Sequence, residues 1–164
     1  MSPVLRRTAK LAASSLDDVE DLLPCTGGPA TLIFDVDNTL VRQGAPPDEF
    51  IEAVNAVIDR FEAHPSVDRV IALTNGAQRA VPRLVSRGNK PWTTRRRLKL
   101  TGISDLVVVG DQVLTDGVLA WRLGATFVHL VIDDSSEPPD QSRMRRRGKC
   151  LESLLFREDQ SEIG

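Results

Sequence analysis

"TLIFDVDNTLV", residues 31–41, sets two carboxylates at the end of an apolar run. Thr31 to Phe34 read as a buried β-strand, and Asp35 and Asp37 follow with one residue between them. Carboxylates repel one another and resist leaving water. Two of them at the mouth of a core strand imply a cation between them, or a reactive role. A calcium loop could also open with "DVDN", but it needs Gly at its sixth position and Glu at its twelfth. This chain has Leu40 and Pro46 there.

The pattern on either side extends this strand into a fold. Upstream, residues 14–23 read as a short helix. Ser15 and Asp18 form a capping-box pair, and Leu16, Val19 and Leu23 share one face. "PCTGGPA" (24–30) is a linker. Downstream, Phe50, Val54, Val57, Ile58 and Phe61 recur at helical spacing and predict a helix over 47–63. "VDRVIALTN" (67–75), "DLVVVGD" (105–111) and "ATFVHLVI" (125–132) predict three further strands. Residues 77–89 have no clear pattern, because Pro82 interrupts a helix. A helix is expected from Pro91 to about Lys99, another over 115–124 closed by Gly124, and a last, basic one over 142–156.

Continuous apolar strands alternating with helices predict an α/β fold, with a mostly parallel central sheet covered on both faces. Ligands in such sheets bind beyond the carboxyl ends of the strands. Asp35 and Asp37, Thr74 and Asn75, and Asp111 all fall at such ends, and Lys90 lies just before a helix. The expected organisation is an N-terminal helical segment with linker (1–29), one α/β domain (30–157) and a flexible tail (158–164).

Composition limits the class. The chain has 164 residues, 41% hydrophobic and 27% charged, with a net charge of -2. These values suit one soluble domain with a proper core. No run approaches the roughly 20 apolar residues that span a bilayer, and the N-terminus lacks the apolar core of a secretory signal. Cys25 and Cys150 have neither metal-ligand nor framework spacing, which fits a reducing, cytoplasmic setting. The runs 93–99 and 142–149 are strongly basic. Each reads either as a solvated helix face or as a patch for an anionic partner.

"DVDNTLV", "LTN", "NKP" and "VVVGDQVLTD" resemble, in order, the four motifs of the haloacid dehalogenase (HAD) superfamily of phosphohydrolases. The longer stretch "VVVGDQVLTDGVLAWRLGATFVHLV" is similar to the YqeG-type, class IIIA branch, which is related to phosphatidylglycerophosphate phosphatases. The resemblance covers roughly residues 15–156 and implies a HAD-type Rossmann-like three-layer fold. The gaps between motifs are too short for a cap domain, so the site should be open. "LTN" and "NKP" taken singly would be turns, and "GDQVLTD" a helix cap. The interval between Asn75 and Lys90 is short for the helix and strand the family usually places there. Lys99 is the only nearby substitute for Lys90, and it lies far into the expected helix.

The chemistry follows from what a phosphate monoester needs: neutralised oxygens, an in-line nucleophile and a protonated leaving group. Asp35 is suited to be the nucleophile, forming an aspartyl-phosphate. Asp37, two residues on and so on the same side of an extended backbone, can serve as general acid and then base. Mg²⁺ takes hard oxygen ligands, which the carboxylates of Asp35 and Asp111 and the backbone carbonyl of Asp37 supply. The resemblance further implies Asp116 as a supporting acid of the metal site, Thr74 as a phosphoryl ligand backed by Asn75, and Lys90 as the neutralising lysine. Backbone amides after Asp35, beginning with Val36, complete the phosphate cradle, and Asn38 and Thr39 brace the loop. His64, His129, Trp92 and Trp121 read as packing or satisfied side chains, with Trp92 bordering the site.

The expected activity is therefore Mg²⁺-dependent phosphomonoester hydrolysis on a phosphorylated substrate. By analogy with the branch, that substrate is an anionic lipid phosphate such as phosphatidylglycerophosphate. The protein would then be cytoplasmic with peripheral membrane contact, helped by the basic runs and by the apolar face of Leu16, Val19 and Leu23. Nucleic acid is not an expected partner. The alternatives are a phosphatase of soluble sugar phosphates or nucleotides, and a non-catalytic module binding RNA or membrane. Oligomeric state is not legible.

Overall fold

Strand β2, Ala30–Asp35, is buried at every position, and the fold is organised about it. The computed structural model describes residues 8–23, 29–37, 39–41, 46–76, 84–85, 89–100, 105–131 and 139–158. Side chains within it alternate between two cores, as a pleated strand requires. Leu32 and Phe34 join one cluster and Ile33 the other. Its neighbours repeat the alternation. Val70 and Ala72 oppose Ile71 and Leu73 on β3 (Val67–Leu73), and Val107 and Val109 oppose Leu106 and Val108 on β5 (Asp105–Gly110).

The sheet is seven-stranded and parallel in every pairing, in the order β4-β3-β2-β5-β6-β1-β7. The outer members are β4 (Leu84–Val85), β6 (Thr126–Leu130), β1 (Thr8–Ala13) and β7 (Phe156–Glu158). One face is covered by α1 (Leu16–Leu22) and α2 (Pro47–Glu62). Phe50, Val54, Ile58 and Phe61 of α2 are buried there, and Phe34 and Phe61 rings meet at 4.9 Å. The other face carries a π-helical turn (Val113–Gly117), α3 (Val118–Leu123) and α4 (Pro139–Leu155). The result is a three-layer, Rossmann-like α/β fold, as the alternation of strands and helices requires.

Several expectations hold in detail. Ser15 caps α1 through a reciprocal box with Asp18. Gly124, at φ 65°, closes α3. Other expectations need correction. No strand was expected before residue 31, yet Thr8–Ala13 forms β1 inside the sheet, between β6 and β7. The expected helix over 91–99 is a single turn. Leu100 N–H donates to Arg95 C=O and Lys99 N–H to Arg96 C=O, with Lys99 at φ 52°. That pair of bonds is the Schellman closure, which ends a helix. The expected helix over 115–124 begins earlier, as the π turn at Val113.

The apolar face of residues 14–23 is also settled. Val19 and Leu23 are fully buried and Leu16 packs against the same core, so this face is closed to a membrane interface. Among the described residues no helix is long and apolar enough to cross a membrane. Asn38, Cys25, the basic side chains of 142–146 and most of 77–89 lie outside the described residues.

Candidate functional site

The carboxyl ends of β2, β3 and β5, three adjacent strands, bring the chemistry together. Asp35 is the last residue of β2, Thr74 follows β3 and Asp111 follows β5. Neighbouring strands lie about 5 Å apart, so groups at adjacent ends meet without any long reach. Beyond Asp35 the chain folds back at once. Val36 C=O accepts from the N–H groups of Thr39, Leu40 and Val41, and Asp37 bridges to Val41. This turn holds Asp37 at the rim, partly exposed.

Asp35, Asp111 and Asp116 form a buried acidic cluster, 7%, 2% and 1% exposed, with one oxygen from each within 4.8 Å of the others. Lys90, 9% exposed, inserts its ammonium among them. Lys90 Nζ donates to Asp35 Oδ1 and, at 2.8 Å, to Asp116 Oδ1. Among the described residues the ammonium of Lys90 is paired with two of these three acids, Asp35 and Asp116. Burial, and then the charge of Asp116, push the Asp35 carboxyl well above the usual carboxylate range despite the pull of Lys90. Burial works to lower the Lys90 value, but the charges of Asp116 and Asp35 outweigh it and the net direction is upward. Three buried carboxylates this close together repel one another, and a divalent cation, which takes hard oxygen donors, would relieve that repulsion.

The π turn sets Asp116. Gln112 C=O accepts from both Asp116 N–H (2.9 Å) and Gly117 N–H (3.2 Å), and the Gln112 N–H donates back to Asp116 Oδ2 at 3.3 Å. π turns of this kind recur at functional sites because the extra residue re-aims a side chain. Here the side chain lies across Gly110. A Cβ on Gly110 would come within 2.4 Å of the Asp116 carboxyl. The glycine before Asp111 is thus needed for close approach. His129 Nε2 lies 3.1 Å from Asp111 C=O and its ring stacks on Phe127, a satisfied side chain that also braces the Asp111 turn.

Asp37 belongs to a second group. Thr74 Oγ1 donates to Asp37 Oδ2 at 2.5 Å and accepts from Gly76 N–H at 2.9 Å. The expected set is therefore gathered, but with different partners. Asp35, Asp111, Asp116 and Lys90 converge. Asp37 and Thr74 form the rim, and the Asp37 carboxylate stands outside the acidic cluster. Val36 buries its side chain completely in the core. Asn75, expected to back Thr74, has its side-chain amide on the Lys90 backbone. Its Oδ1 accepts from Lys90 N–H at 2.7 Å and its Nδ2 donates to Lys90 C=O at 3.3 Å. It grips both backbone groups of Lys90, much as a strand neighbour would. Lys90, not Lys99, reaches the cluster, and Lys99 is exposed on the turn that follows. The sequence reading missed this clamp and the role of Gly110, whose only signal is a glycine directly before an acid.

Comparison with protein-family models, with curated proteins and with solved structures yields no match.

Proposed function

We propose that the chain is a Mg²⁺-dependent phosphomonoester hydrolase that works through a phosphoryl group carried on Asp35. One observation supports this above the rest: a strand-end carboxylate, Asp35, shares a buried pocket with two further carboxylates and an ammonium, while a second carboxylate, Asp37, waits at the rim. An ion pair serving stability alone needs one acid, and buried ion pairs are weak stabilisers in any case. A surplus of buried acid at the edge where α/β sheets bind ligands suits a metal-assisted reaction on an anion.

Asp35, Asp111 and Asp116 are the residues that would hold the ion, with the Asp37 carbonyl as a further ligand. When bound, Mg²⁺ supplies charge neutralisation for the phosphoryl oxygens and removes the repulsion between the acids. The protein's own residues do the rest. A carboxylate oxygen of Asp35 attacks phosphorus as the ester P–O bond breaks, and Asp37 gives its proton to the departing oxygen. Asp37 then takes a proton from water, which attacks the phosphorus, releases inorganic phosphate and restores the Asp35 carboxylate. Lys90 balances the charge on Asp35 and the phosphoryl group. Thr74 exchanges its bond to Asp37 for one to a phosphoryl oxygen.

Among the described residues β2 and β3 are joined by a single helix, and a site without a cap domain would admit esters of many sizes. The resemblance favours an anionic lipid phosphate. The burial of Leu16, Val19 and Leu23 removes one support for that choice and leaves soluble monophosphates level with it. Phosphate release should be followed over aryl, sugar and nucleotide monophosphates and a phosphatidylglycerophosphate in mixed micelles, with Mg²⁺ or with chelator. Turnover of at least one ester with metal, and none without, is expected. No turnover of any ester with Mg²⁺ would contradict the proposal.

A further inference from the structure

Between Asn75 and Asp105 the chain has no acidic residue, yet it carries Arg79, Arg83, Arg87, Lys90, Arg95, Arg96, Arg97 and Lys99. In a protein of net charge -2 such a stretch is out of proportion. The fold adds to it. Arg69, from the start of β3, donates to Lys99 C=O at 3.2 Å. Arg95 holds Leu123 C=O with two donors at 2.7 and 3.3 Å, and Arg122 donates to Pro91 C=O at 2.7 Å. Arg69, Arg95, Arg96 and Arg122 are all exposed, and none of the four forms an ion pair with a described residue. Asp68, in the β3 bulge beside Arg69, and Asp105, exposed at the start of β5, offset part of this charge.

The placement is specific. Lys90 marks the carboxyl edge of the sheet, while Lys99, Leu123 and Arg69 lie towards the opposite edge, where β5, β6 and β3 begin. Adjacent residues Arg122 and Leu123 tie Pro91 and Arg95 to the end of α3, and Arg69 ties Lys99 to the start of β3, so these cations share one flank of the sheet. Trp92, 63% exposed, stands among them with the Arg122 guanidinium 4.9 Å from its ring centroid. Carbonyl bonds hold three guanidiniums in place, and one indole lies mostly in water. A single exposed aromatic gives a bilayer little to bury, and the apolar face of α1 is already covered. Fixed cations beside an aromatic platform are instead what a single-stranded polynucleotide requires, phosphates on the arginines and a base on the ring.

We infer that this flank, Arg69, Arg95, Arg96, Lys99 and Arg122 with Trp92, binds single-stranded nucleic acid through its phosphate backbone. The inference is independent of any hydrolysis at the acidic cluster, and it reverses the expectation drawn from sequence for that partner.

The test is fluorescence anisotropy of a labelled single-stranded decanucleotide against the full chain, titrated at several salt concentrations. Each neutralised phosphate contributes about -0.7 to the slope of log K against log salt. A slope of about -1.4 or steeper is expected. The R69A/R96A double variant, with unchanged thermal unfolding, should bind at least tenfold more weakly and with a shallower slope. Trp92→Phe and Trp92→Ala separate stacking from charge. Phe should bind nearly as wild type and Ala several-fold more weakly, both at an unchanged salt slope. Absence of binding at low salt, or equal binding by R69A/R96A, would overturn the inference. So would binding of anionic vesicles in place of the oligonucleotide, which would make the flank a membrane contact.

Discussion

Asn75 holds Lys90 by its backbone while Asp35 and Asp116 hold it by its side chain. Removing the amide should leave the lysine charged but loosely placed, and small misplacements of a charge-balancing group are costly. Asn75→Ala is expected to lower kcat about tenfold, roughly 1.4 kcal/mol of barrier. Lys90→Ala should lower it further, and the double variant should match Lys90→Ala alone. If the two losses simply multiply, Asn75 acts on something other than Lys90. The raised Asp35 value gives a second prediction. The folded state holds that proton more tightly than the unfolded chain, so this group's contribution is fully present below the unfolded value near 3.9. It is lost as pH rises through the folded value. Asp35→Asn has no such loss. In chelator, the melting temperature of Asp35→Asn relative to wild type should therefore rise between pH 4 and pH 7. A difference that stays flat or falls would mean that Asp35 ionises without penalty.

Gly110 and the π turn act together as one element. The turn brings the Asp116 carboxyl over the glycine, and no methyl group fits there. Millimolar Mg²⁺ is expected to raise the wild-type melting temperature by mass action, and Gly110→Ala should displace Asp116, lower the melting temperature and abolish that rise. Retention of that rise would show that Asp116 is not needed for the metal. At this scale the sequence was legible where the pattern was long. α2, β3, β5 and β6 all lie within the stretches their apolar spacing marks out, and β2 exceeds its stretch by one residue, Ala30. It was illegible where tertiary pairing decides. β1 reads "TAKLAA", with weak β propensity, and becomes a strand because β6 and β7 flank it. The turn at 94–100 has helical composition, but the chain must reach the start of β5 and closes after one turn. Pairing partners such as Asn75 and Lys90, fifteen residues apart, leave no local trace at all.

Across the whole molecule, three adjacent parallel strands end at one edge, and the layers on both faces pack apolar cores against the sheet. The sheet order makes convergence of Asp35, Thr74 and Asp111 unavoidable once the strands are parallel, which is why the site could be read from strand ends alone. Only the fold shows that Asp37 and Thr74 are paired, and that Asp111 and Asp116 share the pocket of Asp35. The central claim is that Asp35 carries the phosphoryl group in a metal-dependent hydrolysis. The measurement that tests it most directly is phosphate release with Mg²⁺ by wild type and Asp35→Asn, each checked for intact folding. The prediction is steady turnover by wild type and less than a tenth of it, a barrier rise above roughly 1.4 kcal/mol, in the folded variant. A folded Asp35→Asn protein that keeps a tenth or more of wild-type turnover would contradict it.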